Sequence, residues 1–184
     1  MSYEKIENYQ KTLLELELQY WLENSLFTPA WLVLLAAALI PWIIWYKYVD
    51  RSRFQEIILF GMLWMILATV IDEISSTWML WSYPRKLFPT IPPLIPADLT
   101  IVPVVYMFIY QYTATFKVYM FWSIIVGAVF SFVIEVIFVH FDLFKMYRWE
   151  HWYSFISFII VAAIIKGIHQ RIMKVRKLPK SPIG

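Results

Sequence analysis

The chain has 184 residues, 61% of them hydrophobic and 20% aromatic, and a formal net charge of +3. Soluble domains are about 45–50% apolar, and a chain of this size cannot hide such an excess in one core, so lipid is the natural solvent. The absence of cysteine excludes a disulfide framework, a thiolate metal site and a cysteine nucleophile. Neither a Gly-rich phosphate loop nor basic–aromatic repeats occur, so nucleotide and nucleic acid are not expected partners.

Residues 1–27 open the chain. Met1 to Asn24 is acidic (Glu4, Glu7, Glu15, Glu17, Glu23) and lacks the basic start and cleavage site of a signal peptide. From Tyr3 onward Ile6, Leu13, Leu14, Leu18, Trp21 and Leu22 can share one broad face, which predicts an amphipathic interfacial helix. Its acidity suits the outer interface or a protein partner better than an anionic inner leaflet.

Residues 28–170 predict about five membrane spans, each needing about 20 residues. Span 1 covers Thr28 to Tyr46, with Pro29 in its first turn and Trp31, Trp42, Trp45 and Tyr46 as interface anchors. Span 2 covers Phe54 to Trp81, longer than hydrocarbon requires. It carries Gly61, Ala68 and Ser75 as a seam for close helix approach, and Asp72 and Glu73 inside the span. A loop rich in proline comes next, from Ser82 to Ala97. Span 3 covers Asp98 to Thr115, with Asp98 placed as a helix N-cap would be. Span 4 covers Val118 to His140, where Ser123, Gly127, Ser131 and Glu135 recur at helical spacing on one packed face. Span 5 covers Trp152 to His169, with Lys166 near its end, where its stem can snorkel.

Residues 171–184 form a basic tail with Arg171, Lys174, Arg176, Lys177 and Lys180. The positive-inside rule puts that tail in the cytoplasm and, with five spans, the N-terminus outside. Asp72, Glu73, Asp98 and Glu135 then all fall toward the outer leaflet. A charge in hydrocarbon is costly and faces a protein interior or a wet cavity, which makes these acids the candidate site. The blander alternatives are a tilted span 2 that leaves Asp72 and Glu73 at the headgroups, and a Glu135 that merely bonds a neighbouring helix.

An internal echo is visible. Ile71-Asp72-Glu73-Ile74 leads to Trp81-Ser82-Tyr83 and a span; Ile134-Glu135-Val136-Ile137 leads to Tyr147-Arg148-Trp149 and a span. This is the pattern of a parallel two-helix repeat.

The order acid, Trp-x-Tyr, loop, Pro-x-acid, apolar span, carried by Asp72, Trp81, Tyr83, Pro96 and Asp98, resembles the lycopene cyclase-type domain of small helical carotenoid enzymes. The resemblance implies repeated helix pairs whose membrane carboxylates protonate a polyene. The chain departs from that family at Pro-Leu-Glu-Glu, which here is Pro96-Ala97-Asp98-Leu99 with one acid. Trp81-Ser82-Tyr83-Pro84, Pro96-Ala97-Asp98-Leu99, Pro103-Val104 and Tyr110-Gln111-Tyr112 also resemble a family of small, uncharacterised membrane proteins from spore-forming Bacillus and Clostridium relatives. That likeness implies a bacterial plasma membrane and no particular activity.

The reading is therefore an all-α, multi-pass helical bundle in the cell membrane. Its acidic intramembrane site binds or acts on a lipophilic, lipid-like or isoprenoid-like molecule. Glu135, Asp72 and Glu73 are the candidate proton-handling residues, and Trp81, Tyr83, Asp98 and Ser131 the candidate ligand-binding ones. If the protein is an enzyme, acid-catalysed isomerisation or cyclisation of an alkene fits. No metal or other cofactor is expected, because the spacings of metal-binding motifs are missing. Expected partners are membrane lipids and, through the N-terminal helix, another protein. A small transporter or proton pathway, and an assembly subunit without catalysis, are the alternative functions.

Overall fold

The computed structural model describes residues 2–91 and 94–176. The elements are α1 (Tyr3–Asn24), α2 (Pro29–Tyr48), α3 (Phe54–Thr77), a two-residue strand β1 (Trp81–Ser82), α4 (Val102–Tyr112), α5 (Phe116–Val129), α6 (Glu135–His140), a second short strand β2 (Lys145–Met146) and α7 (His151–Arg176). Two π-helical turns join them: Ala97–Ile101 runs into α4, and Phe130–Ile134 links α5 to α6. The fold is an all-α bundle.

Among the described residues four helices are long and apolar enough to cross a membrane: Pro29–Tyr48, Arg51–Thr77, Phe116–His140 and His151–Val175. Their outward faces keep large apolar side chains uncovered, Val33, Ile43, Ile66, Phe121, Phe132 and Ile160 among them. Water would penalise such a surface and lipid does not.

The expected third span differs from the other four. Asp98 to Thr115 is not a free-standing span but a shorter helix at the centre of the bundle. Its Val102, Val104, Tyr106, Met107 and Tyr110 are buried against α3. It still runs from end to end. Asp98 lies beside the last turns of α3, while Gln111 bonds Asp50 N (3.0 Å) and the Tyr48 carbonyl (3.0 Å) at the other end. Packing replaces lipid contact here, so the segment needs neither the length nor the uniform apolarity of an exposed span.

The small-residue seams do bring helices together. A Cβ at Gly61 would collide with Met107 Sδ and lie 2.9 Å from its Cγ, so glycine sets the α3–α4 spacing. Gly127 faces Phe158 of α7 nearly as closely, at 3.2 Å, flanked by the fully buried Ser123 and Ser131. Gly61→Ala should lower stability by about 1–3 kcal/mol through overpacking. Gly167, with nothing within 4 Å of an added Cβ, should gain slightly on the same change. Unfolding midpoints of the two variants in one detergent test the contrast.

α1 buries no side chain. It is tied to the bundle by Trp21 Nε1–H, which donates to the Lys86 carbonyl (3.0 Å), and by Glu17 near Lys86 (3.7 Å). The tail expected from residue 171 begins later, because α7 continues to Arg176. Lys177 and Lys180, with Pro92 and Pro93 of the loop, lie outside the described residues.

Candidate functional site

The sequence echo has a structural counterpart. At the end of α3, Trp78 N–H donates to Ile74 O, Met79 to Ser76 O and Leu80 to Ser75 O. At the end of α6 the same set recurs: Phe141 to Ile137 O, Asp142 to Val139 O and Leu143 to Phe138 O. Met79 (φ 54°) and Asp142 (φ 53°) hold the left-handed turn in each. Both turns feed a short strand, and the strands pair antiparallel, Trp81 opposite Met146 and Ser82 opposite Lys145. Asp72 and Glu135 occupy matching positions ahead of these matching turns.

Between α3, the start of α4, α6 and the start of α7 lies a chamber of about 180 Å³. Asp72, Trp81, Tyr83, Asp98 and Glu135 all line it, within a wall that is otherwise mainly apolar and aromatic, including Trp64, Phe138, Phe144 and Trp149. Acids from three separate stretches of chain therefore line one cavity.

Asp72 is the most heavily bonded. Its Oδ1 accepts from Trp81 Nε1–H (2.6 Å) and from the Tyr83 hydroxyl (2.5 Å), and its Oδ2 accepts from Leu94 N–H (3.2 Å). Burial, reinforced by the carboxyls of Asp72 and Asp98, pushes the Tyr83 phenol well above the usual tyrosine range. Tyr83 thus keeps its proton and acts as a donor at any physiological pH. Its ring stacks on Phe144 at 5.5 Å, and Trp81 meets Trp149 edge-on at 5.0 Å. These contacts fix both donors from the opposite half of the fold.

Asp98 is not the N-cap that its sequence position implies. The helix begins earlier, with Ala97 N–H and Asp98 N–H both donating to the Leu94 carbonyl (2.8 and 3.0 Å). Asp98 lies inside the π-turn with its side chain turned toward Asp72. Its Oδ2 is buried without a hydrogen-bond partner. Glu135 comes directly after the second π-turn, and its Oε2 is 3.0 Å from His151 Nδ1 at the start of α7. Glu135 continues the Ser123–Gly127–Ser131 seam onto α7, where it meets His151 and lines the chamber.

Two expected site residues stay outside. Glu73, one residue on from Asp72, points about 100° away on an α-helix; it is half-buried and near Thr77 Oγ1 (3.5 Å) rather than in the chamber. Ser131 is fully buried on the seam and is not part of the chamber wall. Two contributors escape sequence reasoning: His151, whose ring pairs with Glu135, and Leu94, which acts through a backbone N–H. The only signal for His151 is its place at the opening of the helix after the second acid, as Asp98 stands after the first. Among the described residues no three His, Asp or Glu side chains converge as a metal shell would require.

The chain matches no family model, no curated protein and no solved structure.

Proposed function

We propose that the protein holds a lipophilic molecule, or a segment of one, in the carboxyl-lined chamber and presents an acid proton to it. The observation carrying this reading is the meeting of Asp72, Asp98 and Glu135 in an apolar, aromatic cavity. The volume is close to that of a cavity that takes benzene, about 150 Å³. A ring or a short stretch of isoprenoid or acyl chain is the right scale, with the rest of the guest in the surrounding bilayer.

The bonding pattern divides the labour. Three donors converge on Asp72, and an ionised carboxylate is the form that accepts them all. Asp98 lies against that charge with Leu94 N–H nearby and its Oδ2 unpartnered, so Asp98 is the partner that carries the proton, as in other paired carboxyls. Glu135 and His151 form a second acid–base pair across the chamber. If the guest is an alkene, Asp98 O–H protonates one carbon, with the π electrons forming the new C–H bond. The Glu135–His151 pair then takes a proton from the carbon next to the cation, which completes an isomerisation. The resemblance to lycopene cyclase-type domains supports this chemistry.

The setting proposed is a bacterial plasma membrane. The chamber lies toward the outer leaflet. The end bearing Lys47, Arg51, Arg53 and Lys117 faces the cytoplasm.

Mass spectrometry of lipids that co-purify with the protein tests the reading. A specific lipophile should accompany the wild type and be lost from Ala68→Phe, which fills the chamber from α3. Identical lipid profiles for the two proteins would remove the chamber as a binding site.

A further inference from the structure

At the opposite end of the bundle lies a second, larger cavity of about 730 Å³, lined by Arg53 and Glu56 of α3 and its leading turn, Tyr110 to Ala114 at the end of α4 and just beyond it, and Lys166, His169, Gln170, Met173 and Lys174 of α7. Lys166 does not snorkel to the interface as its sequence position suggests; it is only 5% exposed. Among the described residues it forms no ion pair. Its Nζ instead faces three rings: Tyr110 at 4.1 Å, Tyr119 at 4.9 Å and Phe60 at 6.0 Å. Ring faces attract a cation but return only part of the hydration it loses.

The nearby acid does not answer this charge. Glu56 is engaged by Arg53 Nη2 (3.1 Å) and by the Tyr110 hydroxyl. Arg53 and Lys174 leave the cavity with a basic surplus. His169 is fully buried, and its Nε2–H donates to the Glu56 carbonyl (3.1 Å). Its Nδ1 has no partner and keeps a lone pair that can accept an O–H. Gln111, Gln170 and Thr113 add neutral polar groups.

We propose that this cavity binds a phosphate group, with Lys166 as its principal counter-charge, Lys174 at the rim and His169 Nδ1 as an acceptor for a ligand hydroxyl, the P–OH of a free phosphate ion or an alcohol O–H of a lipid headgroup. The phosphate belongs either to the headgroup of an anionic phospholipid in the adjacent leaflet or to a free ion. Both present the same oxygens to a caged ammonium. The site is separate from the carboxyl chamber and does not depend on the reading given for it.

The test uses the full-length protein in phosphatidylcholine nanodiscs, titrated separately with short-chain phosphatidylglycerol and with inorganic phosphate, binding being followed by intrinsic fluorescence and native mass spectrometry. One probe should saturate, and which one does so identifies the source. Lys166→Met should weaken that binding at least tenfold, Lys166→Arg should stay within a few-fold of wild type, and Lys47→Met should change nothing. If Lys166→Met does not fold, Lys174→Met should still weaken binding several-fold. Failure of both probes to saturate the wild type overturns the site. So does wild-type affinity in a folded Lys166→Met, or in Lys174→Met where that variant is the one read.

Discussion

Asp72→Leu should cost about 3 kcal/mol of stability, the largest loss expected from any single change in the carboxyl chamber. The substitution leaves Trp81 Nε1–H, Tyr83 O–H and Leu94 N–H without their acceptor. Each unsatisfied buried donor costs about 1–3 kcal/mol. The total falls below the sum because donors in a membrane-embedded unfolded state also find partners. Asp98→Leu should behave in the opposite way. Its Oδ2 has no partner, so the change removes only its contacts with Asp72 and Leu94 N–H, and replacing a buried acid by an apolar group of similar size is often neutral or stabilising by about 1 kcal/mol or more. Denaturation midpoints of both variants in the same mixed micelles measure the difference. Equal destabilisation would mean that the two carboxyls are interchangeable, and the division of roles between them would fall.

Asp98→Asn should keep the fold and abolish the chemistry. Asparagine retains the shape of the acid but has no acidic proton to give. If the guest is turned over, the rate should drop by about 10²-fold or more, the usual weight of a positioned general acid. Glu135→Gln should reduce it comparably, by taking the base from the His151 pair. If the guest is only held, each change should weaken retention about tenfold, the worth of one hydrogen bond to a charged or strongly polar group. Radiolabelled lipophile identified from the wild type, incubated with each variant in nanodiscs, reads both quantities. Wild-type turnover and retention in Asp98→Asn would take Asp98 out of the mechanism.

Much of the fold is legible in the amino-acid order. The apolar runs of α2, α3, α5 and α7 come directly from the need of a spanning helix to face lipid, and the seams at Gly61 and Gly127 from close approach. The meeting of Asp72 with Asp98 and Glu135 is legible as three acids falling at one depth. The features that stay hidden have a common cause. A π-turn changes which carbonyl an N–H reaches, and no residue type announces that change; hence Asp98 reads as a cap, whereas Glu135 meets the neighbouring helix as its seam implies. Glu73 groups with Asp72 by depth alone, although the 100° step between neighbours on a helix separates their directions. Lys166 looks like a snorkelling side chain because its aromatic neighbours, Phe60, Tyr110 and Tyr119, come from three other helices.

The paired strands carry one more implication. Trp81 and Ser82 are zipped to Met146 and Lys145, and Tyr83 and Leu94 close in beside them, with Leu87 packed on Leu34 and Leu143. Together they roof the carboxyl chamber along the bundle axis. A guest leaving that way would have to unzip the ribbon, whereas parting α6 from α7 breaks the Glu135–His151 contact. For the guest proposed above, the expected route is therefore sideways, between leaflet and chamber, a path open to a molecule that never enters water and closed to a dissolved one.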